Sequence, residues 1–383
     1  MASDVKGAGE LGKNQFAVLL SLMQDPGLSQ RSIAERTGLS VGTVNTAQRQ
    51  LVEQGKLEKA GSEGMRLTEQ GMQALEPYRV DNAIILAAGL STRFAPISYE
   101  KPKGLLRVRD EVLIERQIRQ LKEAGIDDIT VVVGYKKEYF FYLEELFDVR
   151  IVVNEHYAKR NNHSSLMAVL DKLGRTYVCS SDNYFVDNPF ESHVYGAYYA
   201  TQYAQDATDE WCVHLGAWNR IVGVTIGGAD SQIMLGHVFF DEPFSQRMAQ
   251  IIRDEWDLPA TVDKLWENLF IDHIDELYMV ARPYPAGMIH EFDALDDLRE
   301  FDPHFIENVD SLAFDNIVSA LGCNKTDICD VYPLKQGLTN LSCHVRVGDA
   351  EYVYRHPGVG TENLIDRNAE LAGLHIAHEL GLD

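Results

Sequence analysis

Long apolar runs are missing from this 383-residue chain, and nothing approaches the roughly 18 consecutive apolar residues that a membrane span requires. The opening MASDVKGAGELG likewise has no apolar core of the kind an export signal carries. Cysteine is scarce and scattered. The five residues (Cys179, Cys212, Cys323, Cys329, Cys343) show no CxxC spacing, which argues against a disulfide framework or a zinc knuckle and fits a reducing cytoplasm. Basic residues are short in supply and uneven. Residues 1–80 hold nine Lys/Arg and nine Asp/Glu, so the net charge of −23 falls on the remainder, where 26 basic side chains face 49 acidic ones. Such a body repels nucleic acid, whose phosphates need clustered Lys/Arg. There is no internal repeat and no low-complexity tract. What is present, 45% hydrophobic residues over a length typical of two or three domains, suffices for several cores.

The first segment, residues 1–79, reads as helices Asn14–Met23, Gln30–Thr37 and Val41–Gln54, followed by two strand-like pieces around Gly61–Gly64. Ser29 and Ser40 stand as N-caps, with Gly38 and Gly55 as stops. SQRSIAERTGLSVGTVNTAQRQLVEQGKL resembles the winged-helix family of bacterial regulators. The resemblance implies a third helix able to enter a major groove with Thr43, Asn45, Thr46 and Arg49. The neutral charge and sparse basic residues favour a docking or dimerising module over DNA reading.

Residues 80–306 alternate strand and helix: strands 82–88, 128–133, 150–153 and 176–180, helices 113–124, 136–147 and 164–173. This pattern predicts an α/β fold with a parallel sheet covered by helices, and a ligand crevice at the strands' carboxyl ends. A β-rich stretch follows (195–203, 211–217, 222–226, 234–240), then helices 244–256 and 262–274, then strands 277–281 and 288–292. It predicts a mixed β extension. Residues 307–383 read as a helix, two antiparallel strands around Gly337 and Gly348–Asp349, and a last helix over 363–380.

The most informative stretch is LAAGLSTRFAPISYEKPKGLL, residues 86–106. It follows a buried strand; Gly89 supplies backbone freedom, and Arg93 and Lys103 place two cations in one proline-stiffened loop, an arrangement suited to a triphosphate. It matches neither the Walker loop nor the dinucleotide fingerprint. It resembles the nucleotidyltransferase signature LAAGxxxRxxPxxxxxPK at Leu86, Ala87, Ala88, Gly89, Arg93, Pro96, Pro102 and Lys103. In SSDNYF, Asp182 sits just past a strand end, where such a family holds Mg²⁺; it is expected to be a surface carboxylate of little weight for stability. The second metal carboxylate by resemblance is Asp293, with helix capping as its alternative role, and Glu291 lies two residues before it.

TDEWCVHLG, KLWENL, IHEFD and NNHSSL resemble the bacterial choline-phosphate cytidylyltransferases, over about residues 82–301. The resemblance implies a Rossmann-like nucleotidyltransferase that uses CTP and phosphocholine. In it Arg93 and Lys103 hold the β/γ-phosphates, and the base lies against Leu86–Ala88 near Gly134 and Tyr135. Quaternary ammonium groups are recognised by aromatic faces backed by carboxylates. Tyr184, Trp211 and Trp266 are the candidate walls, with Asp263 and Glu291 as anions; packing in the core is the alternative for both tryptophans. Leu265 stands where relatives tend to carry a second aromatic. This keeps 2-aminoethylphosphonate, phosphoethanolamine and sugar phosphates open as acceptors, alongside a winged-helix regulator with a sensor body. The last 75 residues resemble the N-lobe of choline and aminoglycoside kinases, with GLTN (337–340) in a phosphate-covering hairpin and Arg355 paired with Glu370. No catalytic-loop aspartate follows, so kinase activity is not expected. A homo-oligomer is compatible with the sequence.

Overall fold

The computed structural model describes residues 11–61, 64–334, 340–358, 361 and 366–381. Helices α1 (Lys13–Gln24), α2 (Gln30–Thr37) and α3 (Val41–Glu53) pack around Val18, Leu19, Ile33, Val44 and Leu51. The caps are local chemistry: Ser29 and Ser40 accept from the Ser32 and Thr43 amides, and Gly38 ends α2 at φ 69°. Strands β1 (Leu57–Lys59) and β2 (Met65–Leu67) pair antiparallel as the wing. A fourth helix, α4 (Glu69–Leu75), was not expected; Thr68 caps it at the wing's end.

The body begins with β3 (Asn82–Ala87), a short hairpin β4 (Arg107–Val108) and β5 (Glu111–Val112), and helix α5 (Leu113–Glu123). Then come β6 (Ile129–Val133), α6 (Tyr142–Phe147), β7 (Arg150–Val153), α7 (His163–Met167), β8 (Thr176–Ser180) and β9 (Asn183–Phe185). β8, β3, β6 and β7 lie side by side and parallel. The chain moves outward from β3 through β6 to β7, then returns to place β8 on the other side of β3. That reversal opens a crevice at the carboxyl ends of β3 and β8. Helices expected over 136–147 and 164–173 are shorter, each broken by a 3₁₀ turn.

The extension comprises β10 (Tyr198–Ala204), β11 (Thr208–Leu215), β12 (Ile221–Gly228), β13 (Ser231–Phe240), α8 (Glu242–Glu255), α9 (Trp266–Asp272), β14 (Val280–Tyr284) and β15 (Ile289–Glu291). β13 joins β8 antiparallel and so makes the nine-stranded sheet mixed. β15 leaves that sheet to pair with β9, opposing Glu291 to Asn183 and bringing it beside Asp182.

Helices α10 (Leu295–Phe301), α11 (Phe305–Asn308) and α12 (Leu312–Leu321) lead into β16 (Ile328–Pro333), β17 (Asn340–Val347) and β18 (Ala350–Pro357), then α13 (Arg367–Glu379). Three antiparallel strands stand where two were expected. Gly337 and the rest of GLTN before Asn340 lie outside the described residues. Among the described residues no helix is long and apolar enough to cross a membrane.

Candidate active site

A cleft of about 490 Å³ opens at the carboxyl ends of β3 and β8. Of the residues singled out in the sequence, Leu86, Ala87, Ala88, Gly89, Pro102, Lys103, Asp182 and Asp263 line it. A Cβ on Gly89 would meet nothing within 4 Å, so the glycine keeps space open for a ligand. The left-handed backbone in this loop belongs instead to Ser91, at φ 52°. Gly134 and Tyr135 stand behind the wall rather than in it. A Cβ on Gly134 would lie 2.6 Å from Tyr157 Cγ and 2.9 Å from the Ala88 carbonyl. The Tyr135 amide donates to Ala88 O (3.2 Å) and its hydroxyl to Ser98 O (2.9 Å). Both therefore fix the floor of the cleft and do not face its contents.

Lys103 is the buried cation of the site. Gly104 lets its loop approach β8 so closely that a Cβ there would meet Ser181 Oγ at 2.8 Å. Lys103 Nζ then reaches Asp182 Oδ2 at 2.7 Å, with the two side chains only 10% and 20% exposed, and lies 4.7 Å from the centre of the Phe94 ring. The sequence expectation of a surface aspartate is corrected: Asp182 is half of a largely buried ion pair. Its other oxygen, Oδ1, is buried without a hydrogen-bond partner. A desolvated carboxylate oxygen left unmatched is costly, and it marks a place for a cation or donor.

Arg93 Nη2 meets Asp293 Oδ1 at 3.1 Å on the open side, where both side chains are well exposed. Such a pair contributes little stability and separates easily. Capping does not occupy Asp293. Asp297 Oδ2 takes that role, accepting the amides of Asp293 and Ala294 at 2.7 Å each. Glu291 lies within electrostatic reach of both pairs, and the Gly236 amide donates to its Oε2 at 3.4 Å. Surrounding protein, followed by the charges of Asp182 and Asp293, pushes its carboxyl well above the usual range, while Lys103 opposes the shift. Glu210 on β11 is raised in the same way, by desolvation and then by Asp293 and Asp297, with Arg93 opposing. The sequence reading missed it. Among the described residues no three His, Cys, Asp or Glu side chains group closely enough to cage a metal unaided. Magnesium does not need such a cage, since it takes one or two protein carboxylates with phosphate and water.

The expected aromatic wall does not assemble. Trp266 is 2% exposed, stacked on Tyr199 (centroids 5.9 Å) and edge-on to Phe240 (5.1 Å), in the core behind α9. Tyr184 is buried in a different core, under the Arg116 guanidinium (4.5 Å) and Phe301 (5.0 Å). Both follow from elements that turn these rings inward, which residue type alone does not reveal. Trp211 keeps partial exposure. Trp266→Ala should accordingly cost about 3–5 kcal/mol of stability, as for other buried aromatics. Denaturant unfolding checks this, and a loss below 1 kcal/mol would contradict a core role.

A further wall is formed by residues 154–162, of which only Asn161 and Asn162, the start of NNHSSL, were marked in the sequence. Asn154 is held by Ser164 and Ser165 (2.8 and 3.0 Å) at the end of β7 and lines the cleft with Tyr157, Lys159 and Asn162. Asn162 ties this wall to α9: its amide donates to Glu267 Oε2 (3.1 Å), and its Oδ1 accepts the Trp266 amide (2.7 Å). Burial pushes Glu267 up to about 7, with Asn162 and Tyr199 hydrogen bonds opposing. The position of NEHYAKRNN after a parallel strand was the available signal.

Comparison with known proteins agrees with this geometry. The MobA-like NTP transferase domain family matches residues 83–216, and the winged helix-turn-helix DNA-binding family matches residues 11–58. The choline-phosphate cytidylyltransferase of Streptococcus pneumoniae is 37% identical over 220 residues, 57% of this chain and 96% of its own length. The 2-aminoethylphosphonate cytidylyltransferase of Lancefieldella rimae is 35% identical over 234 residues, 59% of this chain and 93% of its own. A solved structure of CTP:phosphocholine cytidylyltransferase from Streptococcus pneumoniae superposes with TM-score 0.57 at 37% identity, over 59% of this chain and 98% of that one. With nearly the whole length of these relatives matched and the signature cations set against Asp182 and Asp293, this chain belongs to the nucleotidyltransferase family that contains the choline-phosphate cytidylyltransferases.

Proposed function

We propose that the chain transfers a cytidylyl group from CTP to phosphocholine and releases pyrophosphate. The observation that carries the reading is the buried Lys103–Asp182 pair at the switch point of the sheet, beside an open, glycine-floored cleft. A phosphocholine oxygen attacks the α-phosphorus, that P–O bond forms, and the bond to the β-phosphate oxygen breaks. The nucleophile is already an anion, so no general base is required. Positioning and charge neutralisation supply the catalysis.

Arg93 and Lys103 are proposed to hold the β/γ-phosphates, with Lys103 also neutralising the α-phosphoryl group. Leu86–Ala88 and the wall at Asn154–Asn162 would hold the nucleoside. The partnerless Asp182 oxygen and the carboxylate of Asp293 fit a hard divalent cation. They would hold Mg²⁺, which when bound supplies positive charge to the phosphates.

Phosphocholine is preferred as acceptor, and the 37% identical relative supports it. The 35% identical relative and Leu265 favour 2-aminoethylphosphonate as the second reading. Pyrophosphate release from each of the four NTPs, against a panel of phosphorylated amines and sugars, decides between them. CTP with phosphocholine should be fastest; no release with any pair would turn the body into a sensor. Because Tyr184 and Trp266 are buried, Trp211 is the aromatic left to contact the ammonium. Trp211→Ala should weaken phosphocholine by about 1–2 kcal/mol while sparing CTP. Equal KM changes for both would return Trp211 to the core.

The flanking segments are proposals of a different kind. Sparse charge on α3, whose one cation is Arg49, supports a docking role for residues 1–79. The 2.8 Å pair between Arg355 and Glu370 supports reading 307–383 as a partial kinase-like N-lobe.

A further inference from the structure

The phosphate loop does not end at the cleft. Its outer side is built into the C-terminal segment. Phe94, Ile97 and Tyr99 share one core with Phe314 of α12, Ile328 of β16 and Cys343 of β17. Glu100, three residues before Lys103, caps α12 from outside: its Oε1 accepts from the Ala313 amide (2.6 Å) and the Ser311 hydroxyl (3.3 Å), and its Oε2 from the Leu312 amide (3.1 Å). An anion at a helix N-terminus satisfies orphan amides and meets the positive end of the helix dipole. Next to it, the Tyr99 hydroxyl donates to the Ser342 carbonyl of β17 at 2.9 Å. The pneumococcal relative is matched over 96% of its length by 57% of this chain, so a large part of this chain has no counterpart in that match.

We propose that the C-terminal segment is a brace for the phosphate loop, with Glu100 and Tyr99 as the positioning residues that transmit it to Lys103. Neither side chain need touch the nucleotide. The loop carries both signature cations, and freezing its far side fixes where Lys103 meets the triphosphate. The kinetic part of the test rests on the transferase reading above; the exchange part does not.

The experiment compares full-length wild type, Glu100→Ala, Glu100→Gln and Tyr99→Phe. In Glu100→Ala, the KM for CTP should rise about tenfold, of the order expected for a misplaced phosphate-binding group, while the acceptor KM stays within twofold. Amide hydrogen exchange across residues 92–105 should quicken in the same variant. Glu100→Gln keeps an acceptor oxygen and should recover most of the loss. Tyr99→Phe keeps the ring and should shift CTP in the same direction by a smaller factor; it carries the test if Glu100→Ala does not fold. Unchanged loop exchange, or a uniform fall in kcat with both KM values preserved, would overturn the brace. If wild type releases no pyrophosphate with any acceptor, the transferase reading fails and loop exchange alone judges the proposal.

Discussion

Asp182→Asn is expected to lower kcat by about a thousandfold, the scale seen when a group that organises transition-state charge is lost. Asparagine keeps the shape and an acceptor oxygen for the Lys103 ammonium, 2.7 Å away in the native protein, but removes the negative charge that a hard cation needs. The alanine variant is a poorer probe. With both side chains largely buried, deleting the carboxylate strands Lys103 without a counter-ion, and breaking such a pair costs about 3–5 kcal/mol. Glu291 gives the second half of the expectation. Its carboxyl is raised partly by the charge of Asp182, so the asparagine variant should let it ionise more readily. Even so, it should not substitute, because its approach is from β15 and not from the end of β8. The measurement is initial-rate pyrophosphate release with Mg²⁺ titrated to saturation, beside an unfolding curve. Turnover within tenfold of wild type at saturating Mg²⁺ would remove Asp182 from the chemistry.

How much of this was legible in the residues depends on how local the physics is. The caps at Ser29 and Ser40 are set within four residues of chain, and they appear where the sequence placed them. The parallel strands were legible because residues buried on both faces read as short apolar runs. The phosphate loop was legible because its cations, prolines and glycine all sit inside 21 residues. The acceptor side was not, because each of its residues is turned by a distant partner. Trp266 is drawn inward by Tyr199 and Phe240, and Tyr184 by Arg116 and Phe301. Glu267 gains its raised carboxyl from burial in the assembled core, against the opposing hydrogen bond of Asn162, 105 positions earlier, and neither is visible in the local sequence. Periodicity also gave no hint that the core under the phosphate loop is completed by β16 and β17. A division near residue 307 follows composition, whereas this core crosses it.

Lys103→Met should be the most damaging single change, lowering kcat/KM for CTP by about 10³–10⁴-fold, as for loss of a preorganised cation at developing phosphate charge. Methionine retains an unbranched stem of similar reach, but it removes the cation over the Phe94 ring and leaves the buried Asp182 without a counter-ion, so an unfolding curve accompanies the kinetics. What goes is the ammonium. Arg93 cannot supply the missing charge: its side chain is 66% exposed and engaged with Asp293 on the open side. Arg93→Ala should therefore cost far less, about tenfold, as for a solvent-screened contact. Lys103→Arg should rescue only in part, because a planar guanidinium does not reproduce the compact point charge that meets Asp182 Oδ2 at 2.7 Å. Calorimetric CTP affinity separates the two stages. If Lys103 acts on the ground-state triphosphate alone, affinity and kcat/KM fall by the same factor. If it also neutralises the α-phosphoryl group, kcat/KM falls further than affinity does, and the excess measures charge stabilised only in the transition state. Full activity in Lys103→Met would place the cation of this reaction elsewhere in the cleft, with Lys159 the first residue to examine.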